Sequence, residues 1–257
     1  MFSMDRIGLS TDTKYTLFLI VSTLFIYALH KYVGIGKLEK EDQKGRYAII
    51  EKYKNHILIY SILSFCAVLY YYLNFDWNRK LLLLIPGVIS ITYTIPIFLK
   101  RKRLRDFSYI KIFLIAIVWA LVSESIPMYE NGYSNGIIAL LFLERFLFFI
   151  AITIPFDIRD LMIDSQNDVQ TIPSILGIHK SIHLATYCLL LCIAIEGILL
   201  GSSSVQLSGS LSLIITYTIA LVFIRANKNY KNDHLFTGII DGFIGLPYII
   251  YLGISIF

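Results

Sequence analysis

The chain has 257 residues, of which 56% are hydrophobic and only 16% charged, and its mean hydropathy is +0.68. A water-soluble domain carries about 25% charged and roughly 45–50% apolar residues, so this composition excludes one and points to a membrane. The net charge of +5 does not signal nucleic acid, because the basic residues cluster between apolar stretches, as topology signals do.

Eight segments approach the ~20 apolar residues that cross a bilayer: 15–33, 56–74, 80–99, 110–127, 136–156, 182–200, 210–225 and 237–256. The expected fold is all-α, a polytopic membrane bundle of about eight transmembrane helices. With no internal repeat or low-complexity linker, residues 1–257 read as one domain. The first segment is too long for a signal-peptide core, and no small-x-small site follows Leu29-His30-Lys31-Tyr32, so it reads as retained. A charged loop comes next, with Glu39, Glu41 and Asp42 among its lysines. The third segment contains Tyr93 and Pro96 near its end, and the basic block Lys100-Arg101-Lys102-Arg103-Leu104-Arg105 follows.

Charges inside the later segments are costly and face a bundle interior as a rule. Glu144 and Arg145, near the middle of the fifth, are expected to satisfy partners on other helices. Glu124 and Glu196 sit toward outer ends and read as snorkelling, while Asp241 lies near the inner end of the last segment. Cys66, Cys188 and Cys192 are all within apolar segments and read as packing residues. Gly238, Gly242 and Gly245 favour close helix contact.

Seventeen of the 23 Lys and Arg residues fall on one side of this arrangement, in the loops after the first, third, fifth and seventh segments. Four lie on the other. The rich side is expected to be cytoplasmic, with both termini outside the cell membrane. Every long polar loop then faces the cytoplasm, which puts the chemistry there.

The fifth segment ends in Pro155-Phe-Asp157-Ile-Arg159-Asp160-Leu-Met-Ile-Asp164. On a continuous helix, positions i, i+3 and i+7 fall within roughly 60° of one another. Carboxylates gathered so closely repel unless a cation lies between them. Oxygen donors suit Mg²⁺, which takes one or two carboxylates plus substrate phosphates. At the mouth of a membrane helix, a lipid carrying a diphosphate is the fitting ligand. Plainer readings stand beside these. The aspartates suit a solvated helix end, and Lys100–Arg105 suits a topology determinant as well as a diphosphate contact. Tyr93 suits the aromatic belt, Arg159 a local ion pair, and His30 an interfacial histidine rather than a ligand.

The aspartate run resembles the second motif, D-x-x-D-x-x-x-D, of the UbiA-type intramembrane prenyltransferase superfamily. Thr171-Ile172-Pro173 and Gly177 are similar to the Thr-(Leu/Ile)-Pro…Gly stretch that trails it, and Tyr93-Thr-Ile-Pro96 with its basic block resembles the family's Tyr-x-x-Pro element. The likeness is best from about residue 80 to 180. It implies a helical fold with an active cavity open to the cytoplasm and Mg²⁺-dependent transfer of an isoprenyl group. The donor would be an isoprenyl diphosphate and the acceptor an aromatic or other lipophilic molecule. By this resemblance Asp157, Asp160 and Asp164 hold the metal, and Tyr93, Lys100, Arg101, Arg103 and Arg159 contact the substrate. The family's first motif, N-D-x-x-D, has no counterpart where the first segment ends in Ala28-Leu29-His30-Lys31-Tyr32-Val33-Gly34. Its loss leaves a non-catalytic relative that binds a lipid or quinone as the alternative. A small-solute transporter ranks behind both, because such proteins keep their polar site near the midplane and show internal repeats.

Overall fold

The structure is a computed structural model that describes residues 2–35, 50–97, 103–166, 169–227 and 235–255. Among these residues there is no strand. Seven helices are long and apolar enough to cross a membrane: Thr13–Gly34, Lys54–Leu73, Ile110–Glu130, Asn135–Arg159, Ile172–Gly201, Leu207–Ala226 and Gly238–Ser255. The expected segment at 80–99 does form a helix, α4 (Trp77–Thr94). It falls outside the seven because Asn78, Arg79 and Lys80 occupy its first turn. The all-helical membrane fold is therefore as expected, with seven apolar spans among the described residues and α4 at the place of the expected third segment.

The chain divides into two compact units, residues 12–105 and residues 1–11 with 106–257. In the first, α2 (Thr13–Ile35) packs along α3 (Lys54–Leu73) and more lightly on α4. Asp12 caps α2 by accepting from the Tyr15 amide at 3.0 Å, which satisfies one of the amides left open at a helix start. Arg79 donates to the same carboxylate at 2.6 Å and stands over the rings of Tyr15 and Phe75. Phe18 meets Phe75 edge-on at 5.2 Å, and Phe25 lies against Phe65 at the same separation. Few side chains of α2 and α3 are fully buried, and Leu24 is 55% and Leu63 61% exposed. Helices apolar all round suit lipid and not water.

The second unit opens with the short α1 (Phe2–Asp5). A 3₁₀ turn, Leu104–Asp106, crosses the boundary between units. Next come α5 (Ile110–Ala120), a π-helical turn at Leu121–Ser125, and α6 (Ile126–Glu130), which together make one continuous span. Then follow α7 (Asn135–Arg159), α8 (Leu161–Gln166), α9 (Ile172–Gly201) and α10 (Leu207–Ala226). A second π turn at Leu235–Ile240 leads into α11 (Gly242–Ser255). Helix α7 is central and packs on both α5 and α9; α9 packs on α10, and α10 on α11. Ile112, Ala116, Phe148, Ala151, Leu189 and Tyr217 fill the core, with Trp119 stacked on Phe149 at 5.2 Å.

Two glycines shape this unit. Helix α9 begins ten residues before the apolar segment that the sequence marks. Thr171 and Pro173 start it, with Ser174 Oγ accepting from the Thr171 amide at 2.9 Å and proline in its first turn. Gly177 then breaks its regularity with φ +78° and ψ 162°, a conformation essentially confined to glycine. On α10, a Cβ at Gly209 would stand 2.9 Å from the Arg6 Cα. Only a glycine lets the N-terminal segment approach so closely.

Candidate functional site

The aspartates do not share one helix face. Helix α7 ends at Arg159, and Asp160, at φ −88° and ψ 4°, is the residue past its end. Asp157 lies in the last turn of α7 and Asp164 on α8. The bend at Asp160 turns α8 so that Asp157 and Asp164 converge on a lysine from α5. Lys111 Nζ stands 2.9 Å from Asp157 Oδ1 and 3.3 Å from Asp164 Oδ2. Asp160 instead accepts from Arg159 Nε at 2.8 Å and from its terminal nitrogen at 3.1 Å. Arg159 in turn covers the Phe156 ring at 5.2 Å. Arg159 thus pairs with Asp160, its neighbour in the chain.

Backbone geometry sets Lys111 in place. Tyr109, at the start of α5, adopts φ 67°, an uncommon conformation for a tyrosine. Its amide donates to the Gln170 carbonyl at 2.9 Å, and its hydroxyl to the Gln170 side chain. The loop before α5 is thereby tied to the segment that follows α8. Lys111 is 8% exposed and Asp157 1%, so both charges are taken largely out of water. Buried charges persist when paired, and a lysine just inside an apolar span was the signal that pointed to this contact. Lys111 itself lies inside the 110–127 segment and outside the 157–164 motif.

Two carboxylates aimed at one point fit Mg²⁺ by donor chemistry, since that ion takes one or two carboxylates and completes its shell with water and phosphate oxygens. That point coincides with the Lys111 ammonium. Among the described residues no group of three or more His, Cys, Asp or Glu is placed to hold a metal; Asp157 and Asp164 are the two motif carboxylates brought to the same cation.

The other substrate-contact candidates belong to the first unit. Arg105 lies over the Tyr93 ring at 5.3 Å and donates to His30 Nε2; the His30 and Tyr93 rings are 6.4 Å apart. A guanidinium only donates, so this His30 nitrogen serves as an acceptor for Arg105. Tyr93 is thus half of an aromatic platform for a cation. Arg103 is described; Lys100 and Arg101 lie outside the described residues, as do Glu39, Glu41 and Asp42.

A second buried charge set gives Glu144 and Arg145 the partners on other segments that the sequence led one to expect, and adds Arg6, Glu124 and Glu196 to them. Arg6, fully buried, donates to Glu144 at 3.0 Å and also to Glu196. Arg145 donates twice to Glu124, at 3.0 and 2.6 Å, and Ser3 donates to the same oxygen at 2.7 Å. Glu124 and Glu196 are therefore buried and paired; they do not snorkel. Burial by itself lowers the Arg6 pKa, but the charges of Glu144, Glu196 and Glu124 outweigh it and hold the guanidinium above its usual value. The 2–9 segment is held through its backbone as well, where the Gln206 amide donates to the Arg6 carbonyl at 2.8 Å.

A sequence model of the UbiA prenyltransferase family matches residues 52–237. No curated protein matches the chain significantly. Among solved structures, a UbiA homolog from Archaeoglobus fulgidus bound to GPP and Mg²⁺ superposes with a TM-score of 0.65 at 12% identity, covering 98% of this chain and 89% of that one. The same homolog bound to DMAPP and Mg²⁺ gives 0.66 over the same shares. A digeranylgeranylglyceryl phosphate synthase gives 0.58 at 14% identity, covering 97% and 88%. At such identities these likenesses establish the fold.

Proposed function

The chain belongs to the UbiA prenyltransferase family, and on that footing we propose that it is a multi-pass membrane enzyme moving an isoprenyl group from an isoprenyl diphosphate to an aromatic or other lipophilic acceptor. The family match runs across the boundary between the two units, which supports reading residues 1–257 as one membrane domain. The observation that carries the proposal is the convergence of Asp157 and Asp164 from two helices on a single cation position. Acidic side chains serving only as a solvated helix end have no need to meet there.

In this reading Asp157 and Asp164 hold Mg²⁺, with Asp160 completing the motif beside Arg159. The ion, when bound, supplies positive charge to the departing diphosphate, where most of the transition-state charge develops. The chain's own basic residues add to it. Arg159 is suited to grip phosphate oxygens through its guanidinium fork, and the family resemblance implies the same contact for Lys100, Arg101 and Arg103. The same resemblance implies a substrate contact for Tyr93, whose ring is suited to face an allylic carbon as its positive charge grows. Walls built from apolar helices exclude water and suppress simple hydrolysis. The lysine- and arginine-rich loops support a cytoplasmic position for this face, with both termini outside the cell membrane.

The test is binding of a non-hydrolysable isoprenyl thiolodiphosphate to the purified protein, with and without Mg²⁺, for the wild type, Asp160→Asn and Asp164→Asn. The wild type binds only with metal, and each variant weakens binding by about tenfold or more, the worth of one charge-assisted contact. Binding indifferent to metal and to both substitutions overturns the proposal. That result favours a non-catalytic relative holding a lipid or quinone, a reading supported by the end of α2, where residues 28–34 offer no aspartate. Specific solute uptake into vesicles points instead to a transporter.

A further inference from the structure

Lys111 stands in the first turn of α5 beside the buried Ile112. Its ammonium already occupies the place between two carboxylates that a divalent ion wants. The local charges come close to balance without any metal: Asp157, Asp160 and Asp164 face Lys111 and Arg159. An ammonium and a divalent ion compete for the same oxygens. For the ion to enter, Lys111 must give up both contacts, and a largely buried ammonium does so at high cost unless another anion receives it. A diphosphate is such an anion, with several acceptor oxygens and more than one negative charge.

We propose that Lys111 is a tethered competitor for the cation position between Asp157 and Asp164, so that a divalent ion binds there strongly only when a diphosphate takes over the ammonium. This rests on the isoprenyl diphosphate reading given above. Lys111 is then a positioning residue that couples two binding events. Metal alone binds weakly, diphosphate alone binds weakly, and each strengthens the other by the same factor, as linkage requires. The free protein keeps its aspartates neutralised and stays closed to stray divalent ions.

The experiment uses the full-length protein in detergent and Mn²⁺ as the probe, titrated by the loss of the free-ion electron paramagnetic resonance signal. Wild type, Lys111→Met and Lys111→Arg are each measured with and without the isoprenyl thiolodiphosphate. Without the analogue, Lys111→Met binds Mn²⁺ about tenfold or more tightly than the wild type, while Lys111→Arg, which keeps a tethered cation, stays weak. The analogue tightens Mn²⁺ binding about tenfold in the wild type, a typical coupling, and has little effect in Lys111→Met. Melting temperature gives a second readout in case Lys111→Met is unstable, because its melting point rises with Mn²⁺ more steeply than that of the wild type. A purely structural lysine moves neither quantity. Equal Mn²⁺ affinity in wild type and Lys111→Met, together with equal Mn²⁺ dependence of melting, overturns the inference and leaves the proposed function standing. If Lys111→Met gains Mn²⁺ affinity but the analogue does nothing in the wild type, the competition holds and the isoprenyl diphosphate reading falls.

Discussion

Replacing Arg6 by methionine removes one cation from a buried set of two arginines and three glutamates. Methionine keeps most of the side-chain length, so the change is chiefly one of charge. Arg6, Glu144 and Glu196 have fully buried side chains, and the guanidinium is shared by both carboxylates. Breaking a buried ion pair by deleting one partner costs about 3–5 kcal/mol, because the charge left behind is uncompensated. For a chain of this size each kcal/mol shifts the melting temperature by about 2–4 °C, so Arg6→Met is expected to melt roughly 6–20 °C lower. Trp119, stacked on Phe149 within the same unit, reports the transition by intrinsic fluorescence. A Trp77→Phe background removes the other tryptophan, which is 71% exposed. Adding Glu144→Gln and Glu196→Gln to Arg6→Met takes away the stranded charges and restores most of the lost stability. A drop of less than about 2 °C for Arg6→Met, or no recovery in the triple variant, refutes the assignment of these three residues to one charge network.

Asp12 offers a pH test on the other unit. Burial acts to raise its pKa, but the Tyr15 amide and Arg79 outweigh that and hold it below the usual carboxylate value. A depressed folded pKa contributes stability that is complete above the unfolded value, near pH 4, and is lost as pH falls through the folded one. Because the Asp12 side chain is 38% exposed, the effect is about 1 kcal/mol or less. Asp12→Asn keeps a good cap and flattens the acid limb of this unit's stability curve; an unchanged limb counts against the pair. Gly177→Ala places a side chain at φ +78° and is expected to lower the melting temperature through about 1–3 kcal/mol of strain, and a neutral result would mean that the break in α9 is not held as described.

The helices could be read with little error because each is an autonomous answer to the bilayer. A run such as 136–156 must satisfy its own backbone hydrogen bonds in lipid, whatever surrounds it, and the observed Asn135–Arg159 exceeds it by a few residues. Helix α9 shows where that signal stops: its first turns, from Ile172, are set by Thr171 and Pro173, which hydropathy does not weigh. The aspartate spacing was legible for the same local reason. The assumption of one continuous helix through Asp164 was not safe, because α7 ends at Arg159 and the following bend decides where each carboxylate points.

Composition and hydropathy by themselves indicate the membrane and the all-helical class, and the 157–164 motif points to the family. They are local properties, set by residue type and by spacing along one strand of chain. Which charges meet is another matter. Lys111 finds Asp157 across 46 positions, and Arg6 finds Glu196 across 190, through the way α5, α7 and α9 turn their faces to one another. That register comes from the packing of Phe148, Leu189 and Tyr217 in the core and from Gly209 admitting the N-terminal segment. A buried charge announces that it needs a partner, but only the folded bundle decides which one it gets.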